Sequence, residues 1–304
     1  MTSAKNPSLN MSPTYIQPRN FADYLSNQQD YYLFLDIDGT LADFTLNPKD
    51  SVIPNTTLTL LQKIQSYGIK IAAVTGRSLI EARQMLSPIK LPIAATHGLE
   101  MAFDGIKNSE DISIAHVDNA ELNAIRQSII QSSLPYSDFT IETKPYSVAL
   151  HYRQNPTLAD VACTIMSDTI KNYADWTLKH GKYVCEAVPK GANKGTAILS
   201  LLKRIQTSDD VCAIFIGDDI TDEAGFMVIQ GQNNSMDEHQ NLAQGMSIKV
   251  GTEPTCAHYY VNNIQEVTVL LDSFLTFCQK HATLAPDLAA VSPSTTNKTV
   301  RHII

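Results

Sequence analysis

The sequence predicts an α/β protein whose core is a doubly wound, Rossmann-like parallel sheet, with a second α/β domain inserted into that core. Two observations support this prediction. Almost continuously apolar segments, typical of strands covered on both faces, alternate along the chain with amphipathic segments of helical period. Between residues 106 and 189 the pattern changes to neighbouring strand segments that suit antiparallel hairpins.

The core elements follow from the apolar pattern. Five segments are predicted to be buried strands: YYLFL (residues 31–35), IKIAAVTGR (69–77), LPIAATHG (91–98), VCAIFIGDD (211–219) and SIKVG (247–251). Helices between and after them are indicated by apolar stripes and terminal residues: Leu58, Leu61 and Ile64 before Gly68; a start near Ser78; residues 193–205; and the stripe Ile264, Val267, Leu271 and Phe274.

The inserted segment is predicted to contain two hairpins, FTIETKPYSVALHYR (residues 139–153) and DWTLKHGKYVCEAVP (175–189). Their turns are expected at Lys144-Pro145 and His180-Gly181, and helices over 119–132 and 158–173 precede them. The predicted organisation is a loosely held N-terminal arm with one short helix (1–28), a core (29–105 and 190–280), an inserted cap domain (106–189) and a mobile C-terminal tail (281–304).

Composition excludes several classes of protein. The net charge of −8 argues against binding to nucleic acid or to an anionic membrane. The 5 cysteines are scattered without a CxxC pair, so neither a disulfide framework nor a zinc site is expected. No apolar stretch is long enough to span a bilayer, and the N-terminus lacks the apolar segment of a signal peptide. A cytoplasmic protein is therefore expected.

Acidic residues directly follow two of the predicted core strands: Asp36 and Asp38 after the first, and Asp218, Asp219, Asp222 and Glu223 after the fourth. Because ligands of open parallel sheets bind beyond the carboxyl ends of the strands, these acids are expected to converge and to repel one another. Capping of the next helix accounts for Asp219 or Asp222, but not for the whole cluster. The pattern predicts a hard cation held by oxygen ligands, Mg²⁺.

Four other polar residues lie at strand ends or at a helix start, and each has a structural alternative. Thr75 and Arg77 follow the second strand, where a strand-to-helix turn, or an arginine that closes on nearby acids, is an equally ordinary interpretation. His97 follows the third strand and could instead be a buried histidine that tethers a loop. Lys194 stands where lysines commonly begin a surface helix.

Charged residues of the predicted cap recur at strand spacing. Glu142 and Lys144 share one face of a strand, Arg153 lies on the return strand, and Lys182 and Glu186 are predicted to share one face of the later strand. Mixed carboxylates and cations suit a polyhydroxyl ligand, because acids accept hydrogen bonds from hydroxyls while Lys and Arg donate them. The alternative is the ordinary polar face of a half-exposed antiparallel sheet.

At these motifs the chain resembles the haloacid-dehalogenase-like (HAD) phosphohydrolases, which share DIDGT, VTGR, a lysine at a later helix start, and GDDxTDE. More narrowly it is similar to the trehalose-6-phosphate phosphatases, over about residues 31–277. The GDDITDE stretch, the E-x-K…HYR arrangement followed by GK…E, and CEAVPKGANKG carry the narrower resemblance. The polar residues around Lys190 depart from the family pattern.

The resemblance implies a Mg²⁺-dependent hydrolysis of trehalose 6-phosphate and a functional link to trehalose-6-phosphate synthase. It implies these roles: Asp36 as nucleophile; Asp38 as general acid and base; Asp36, Asp38 (backbone carbonyl) and Asp218 as metal ligands, with Asp219 and Asp222 beside them; Lys194 as the group that neutralises charge; Thr75 as a hydrogen-bond donor to the phosphoryl oxygens; and Arg77, His97, Glu142, Lys144, Arg153, Lys182 and Glu186 as substrate-binding residues.

Two alternatives to this function stay open at the level of sequence. The nearer one is another sugar-phosphate phosphatase, acting on sucrose phosphate or a mannosyl phosphate. The other is a non-catalytic sugar-phosphate sensor, or the regulatory subunit of a synthase, that keeps the same fold.

Overall fold

The computed structural model describes residues 12–26, 30–45, 47–105, 112–113, 117–205, 211–231 and 243–284. The strands are β1 (Thr14–Tyr15), β2 (Asp30–Leu35), β3 (Lys70–Val74), β4 (Pro92–Ala95), β5 (Glu100–Phe103), β6 (Ile112–Ser113), β7 (Thr140–Thr143), β8 (Val148–His151), β9 (Trp176–Gly181), β10 (Val184–Pro189), β11 (Val211–Gly217), β12 (Ala243–Val250) and β13 (Tyr259–Val261). The α-helices are α1 (Asn55–Ser66), α2 (Leu79–Leu86), α3 (Asn119–Ser133), α4 (Ala159–Ile170), α5 (Lys194–Ile205), α6 (Glu223–Ile229) and α7 (Ile264–Leu284).

The larger sheet has the order β1-β13-β12-β11-β2-β3-β4-β5-β6. In this spatial order all strands from β1 through β4 run parallel, including β13, β12 and β11. Strands β5 and β6 add an antiparallel edge that the sequence analysis did not predict. The predicted strand and helix segments of the core are present, and the doubly wound parallel sheet is confirmed. Among the residues that the structure describes, none of the helices has the length and apolar character that a membrane span requires.

Strand β2 shows why its sequence is apolar at every position. Tyr31, Leu33 and Leu35 pack into one hydrophobic cluster with the buried faces of α1, α2 and α7. The alternate residues Tyr32 and Phe34 pack into a second cluster with α5 and α6. Because helices cover both faces of the sheet, both sets of side chains are buried, and the strand ends at the polar residue Asp36.

The smaller sheet is antiparallel, with the order β7-β8-β10-β9, and α3 and α4 pack on one of its faces. The two predicted hairpins are present. The second turn was predicted one pair too early: Gly181 still pairs with Val184, and Lys182 and Tyr183 form the turn. Lys182 is therefore not a strand residue and does not share a strand face with Glu186, contrary to the prediction.

The N-terminal arm was expected to be loosely held, and for residues 12–26 this expectation is wrong. Strand β1 pairs with β13, and a 3₁₀ helix at Pro18–Tyr24 packs against α7. Phe21 is fully buried, with its ring centroid 6.1 Å from that of Phe274. Ser273 ties the segment down, since its hydroxyl donates to the carbonyl of Arg19 and accepts from the amide of Ala22. Residues 285–304 of the predicted mobile tail lie outside the described residues.

Candidate active site

A cleft of about 100 Å³ lies between the carboxyl ends of the core strands and one face of the cap sheet. All but one of the predicted site residues line it: Asp36, Asp38, Thr75, Arg77, His97, Glu142, Lys144, Arg153, Lys182, Glu186, Lys194, Asp218 and Asp219. The exception is Asp222, which is fully buried behind the cleft. The tertiary structure thus brings together residues from four strand ends of the core, one helix start and the two hairpins of the cap.

Asp36 and Lys194 form the centre of the cleft on the core side. Lys194, the first residue of α5, places its Nζ 2.9 Å from Asp36 Oδ1 and 2.7 Å from Asp222 Oδ1. All three side chains are buried, so Lys194 has no surface role. Burial and the neighbouring charge of Asp222, which outweigh the attraction of Lys194, raise the pKa of Asp36 to about 8.

Asp218 completes a carboxylate cluster that fits a divalent cation. Asp36, Asp218 and Asp222 each place a carboxylate oxygen within 4.8 Å of the others. Burial and the charge of Asp36 raise the pKa of Asp218 well above its usual range. Its buried Oδ1 has no hydrogen-bond partner among the described residues. Self-repelling, partly unpaired oxygens of this kind are the donor set that a hard cation satisfies.

The loop that follows β2 separates Asp36 from Asp38. Gly39 adopts a φ of +78°, and a side chain there would overlap with the Asp218 carboxylate. The chain therefore turns at once, and the Asp38 carboxylate pairs with Arg77. Arg77 donates to both Asp38 oxygens, Nε to Oδ2 at 2.7 Å and Nη2 to Oδ1 at 2.6 Å. Arg77 is thus the arginine that closes on a nearby acid, and that acid lines the cleft.

The acidic residues after β11 cap their own turn as well as lining the site. Asp219 accepts a hydrogen bond from the amide of Ile220, and Asp222 Oδ2 accepts from the amide of Asp219 at 2.9 Å. These bonds account for the capping alternative. Asp222 nevertheless directs its other oxygen to Lys194, so one residue both caps the turn and holds the lysine.

Thr75 and His97 shape the floor of the cleft. The Thr75 hydroxyl accepts from the amide of Arg77 at 3.1 Å, and the Thr75 carbonyl accepts from the amide of His97 at 2.9 Å. The His97 ring packs directly on Gly76, where any side chain would collide with it. Burial lowers the pKa of His97, and its Nε2 lies 3.4 Å from Glu186 Oε2 of the cap. His97 is therefore buried and tethered to the cap at the same time.

Lys144 and Glu186 carry the closest contact between the cap and this floor. Lys144 donates to the carbonyl of Gly76 at 2.8 Å and to Glu186 Oε1 at 2.9 Å. Burial alone would raise the pKa of Glu186, but Lys144, His97 and Ser147 hold it well below its usual range. The cap thus presents a buried carboxylate with its own counter-charge to the cleft.

The remaining cap residues pair around the mouth of the cleft. Glu142 Oε2 lies 2.8 Å from His151 Nε2. The Arg153 guanidinium and the Lys182 ammonium each lie 5.0 Å from the centroid of the Phe44 ring, which belongs to the core. Arg153 also donates to the carbonyl of Thr45, and the amide of Lys182 donates to Asp219 at 3.1 Å. These contacts hold cap and core together on the side of Phe44.

Sequence reasoning missed several residues at the site: Phe44, Ser147, Lys179 and Thr221. A signal existed for Lys179, because it lies in the strand that pairs with β10. It is the direct cross-strand partner of Glu186, and such partners share one face of a sheet. Phe44 and Ser147 have no such signal, since both lie outside the strands and act through contacts to the other domain or to a neighbouring strand.

Comparisons with known proteins point in one direction. The sequence profile of the family described as trehalose-phosphatase matches residues 34–265. The trehalose-6-phosphate phosphatase of Escherichia coli (strain K12) is 30% identical over 251 residues, which are 82% of this chain and 88% of that protein.

Solved structures agree. The C-terminal domain of C. albicans trehalose-6-phosphate phosphatase aligns with a TM-score of 0.74 at 19% identity, over 89% of this chain and 99% of that chain. The C-terminal domain of the Candida albicans trehalose synthase regulatory protein aligns with a TM-score of 0.65 at 15% identity, over 86% and 100%. These neighbours confirm the predicted HAD-like fold with its cap.

Proposed function

Since the chain belongs to the trehalose-phosphatase family of phosphoric monoester hydrolases, we propose that it hydrolyses trehalose 6-phosphate with Mg²⁺ through an aspartyl-phosphate on Asp36. The observation that carries the proposal is a single cleft in which Asp36 of the core faces Glu142, Lys144 and Glu186 of the cap. A nucleophile on one wall and mixed charges on the other suit a phosphate joined to a polyhydroxyl group.

Asp36 is the nucleophile of the proposal. Lys194 holds its Oδ1, which leaves the other carboxylate oxygen to attack phosphorus. As that oxygen–phosphorus bond forms, the bond from phosphorus to the sugar oxygen breaks. Lys194 offsets the charge that accumulates when a carboxylate approaches a phosphate, and the Thr75 hydroxyl donates a hydrogen bond to a phosphoryl oxygen.

Asp38 is the proton carrier. It donates a proton to the departing sugar oxygen, and then accepts one from the water that attacks the aspartyl-phosphate and releases inorganic phosphate. Both Asp38 oxygens are occupied by Arg77 in this structure, so the pair has to open, or Asp38 has to turn, before the proton moves. Arg77 is then free to bind the substrate, as proposed for it from the sequence.

Asp36, the backbone carbonyl of Asp38, and Asp218 would hold the cation, with Asp219 and Asp222 fixing the loop around them. When bound, Mg²⁺ neutralises the phosphate and the clustered carboxylates. The unpaired Oδ1 of Asp218 supports this ligand set.

The cap supplies specificity in the proposal. Glu142, Lys144 and Glu186 lie on the face of the cap sheet that meets the cleft, with Arg153, Lys182 and His97 at its edges. The cavity of about 100 Å³ is smaller than the roughly 300 Å³ of ordinary small-molecule sites, so the cap has to open to admit a disaccharide. The proposal includes a functional link to trehalose-6-phosphate synthase, whose product is this substrate.

The test is a phosphate-release panel with trehalose, sucrose, glucose and mannosylglycerate phosphates, each with Mg²⁺ and with a chelator. We expect release from trehalose 6-phosphate above all others, and none with chelator. Faster release from sucrose phosphate or a mannosyl phosphate would transfer the proposal to that substrate. Binding of trehalose 6-phosphate without any phosphate release in Mg²⁺ would refute hydrolysis and favour a sensor or regulatory subunit.

Glu142→Gln separates the role of the cap from the role of the core. This variant keeps the size of the side chain, and we expect turnover of trehalose 6-phosphate to fall roughly 10-fold or more, while turnover of an aryl phosphate changes little. Ser137→Ala, on the surface of the cap, is the matched control and should leave both rates unchanged. Equal losses on both substrates would contradict the assignment of Glu142 to the sugar.

A further inference from the structure

The cap contains a cluster of two cysteines and a histidine on the face of its sheet that is turned away from the cleft. Cys185 of β10 and His180 of β9 are direct cross-strand partners, so their side chains lie on the same face. Cys163 of α4, which packs on that face, reaches both of them. The neighbours Glu186 and Lys179 point the opposite way, into the cleft, as the alternation of a strand requires.

The distances within the cluster suit a tetrahedral ion. The Nδ1 of His180 lies 3.4 Å from the Cys185 sulfur and 3.7 Å from the Cys163 sulfur. Zinc bonds of about 2.3 Å to sulfur and about 2.0–2.1 Å to nitrogen place such atoms about 3.6 Å apart. The two sulfurs are 3.0 Å apart and have to separate to about 3.8 Å, a side-chain adjustment of less than ~1 Å.

We propose that Cys163, His180 and Cys185 form a second cation site, which takes a thiophilic divalent ion of the Zn²⁺ class. The site is accessible, because a surface depression lined by Asp160, Cys163 and His180 opens beside it. Three protein ligands leave the fourth position to water. A disulfide between the two cysteines would not involve His180, which contacts both sulfurs, and it would require the sulfurs to approach from 3.0 Å to about 2.0 Å.

An incoming ion displaces the thiol protons of Cys163 and Cys185 to solvent as its bonds to sulfur form.

Two of the three proposed ligands lie in the β9–β10 hairpin, and the turn of this hairpin contacts Asp219 in the loop after β11. Gly181 follows His180, and a side chain at Gly181 would come within 2.8 Å of Asp219 Oδ2. The amide of Lys182 in the same turn donates to Asp219. An ion bound to His180, Cys185 and Cys163 therefore joins β9 and β10 to α4, directly behind the part of the cap that contacts the core.

Titration of the reduced, full-length protein with Co²⁺ tests the proposal. We expect one equivalent to produce a thiolate-to-Co²⁺ charge-transfer band that added Zn²⁺ abolishes. The band should lose intensity in Cys163→Ser and in Cys185→Ser and disappear in the double variant Cys163→Ser/Cys185→Ser, and His180→Ala should bind roughly 10-fold or more weakly. Cys256→Ser removes an exposed cysteine outside the cluster and should keep the full band.

The carboxylate cluster gives no thiolate band, so Asp218→Asn should also keep it, whatever the outcome for phosphatase activity. Fluorescence of Trp176 reports whether the cap of each variant is folded. If a cysteine variant does not fold, His180→Ala decides, because its side chain is exposed and its loss leaves the cap core intact. Absence of the band in the reduced protein, or its persistence in Cys163→Ser/Cys185→Ser or in His180→Ala at unchanged affinity, would overturn the proposal.

Discussion

The buried ion pair of Lys144 and Glu186 should make the cap sensitive to the loss of either partner alone. Its atoms are 2.9 Å apart, and the two side chains are 8% and 6% exposed. At an effective dielectric of about 20 their attraction is about 6 kcal/mol, much of it offset by desolvation. Lys144→Met keeps the stem of the side chain and leaves Glu186 buried without its counter-charge.

The Glu186 carboxylate can then lose its uncompensated buried charge only by binding a proton. From the ordinary value of 4.5, protonation at pH 7 costs about 3.4 kcal/mol, which limits the loss. We expect Lys144→Met to lower the free energy of unfolding by about 3 kcal/mol at pH 7 and by about 1 kcal/mol at pH 5. The sign follows from linkage: the folded variant gains a proton as the pH falls, whereas the lowered pKa of Glu186 in the wild type keeps that group ionised until well below 4.5.

Urea unfolding followed by Trp176 fluorescence is the assay. Trp176 is the single tryptophan of the chain, it is 5% exposed, and it lies in β9 beside the strand that carries Glu186. The double variant Lys144→Met/Glu186→Gln removes both charges and should recover most of the loss, with a coupling energy of about 2 kcal/mol. A loss under about 1 kcal/mol at pH 7, or one that does not change with pH, would refute this reasoning.

Three further predictions concern the hydrophobic core and the loops that carry Gly39 and Arg77. Phe21→Ala empties a fully buried site and should lower the free energy of unfolding by about 3–5 kcal/mol in urea. Gly39→Ala forces a positive φ on alanine and drives its side chain into Asp218, so phosphate release should fall roughly 100-fold in a folded protein. Arg77→Lys loses the two-bond geometry of the guanidinium, both to Asp38 and to a bound substrate, so steady-state kinetics should show kcat/KM roughly 10-fold to 100-fold lower.

Each of these variants has a matched control. Tyr67→Ala, at a residue 42% exposed, should cost under about 0.5 kcal/mol. Gly68→Ala meets the same backbone strain, with a φ of +85° and no atom within 4 Å of its added side chain, and should keep full activity. Arg83→Lys alters a similar two-bond pair with Asp104 outside the cleft and should leave kcat/KM unchanged. If a control loses as much as its partner variant, the explanation from the site is wrong.

The sequence was sufficient where a signal is local. The spacing of apolar residues predicted β2 and the helices around it, because a strand covered on both faces has to be apolar at every position. Asp36 and Asp218 were predicted to lie at the same edge of the sheet, because the carboxyl ends of parallel strands are on the same side. The sequence was misleading where only distant contacts decide: the arm of residues 12–26 is polar in composition, yet Phe21 is fixed by Phe274 of the last helix.

By itself the sequence therefore determined the α/β fold, its inserted cap and the edge of the sheet where acids gather, since each follows from periodicity or from the order of strands. Only the tertiary structure decided the partners of each charge: Lys194 with Asp36 and Asp222, Arg77 with Asp38, and Lys144 with Glu186. It also brought Cys163 to His180 and Cys185. The physical reason is that a side chain's partner depends on how helices and sheets pack in three dimensions, and residues far apart in the chain carry no spacing from which that packing can be predicted.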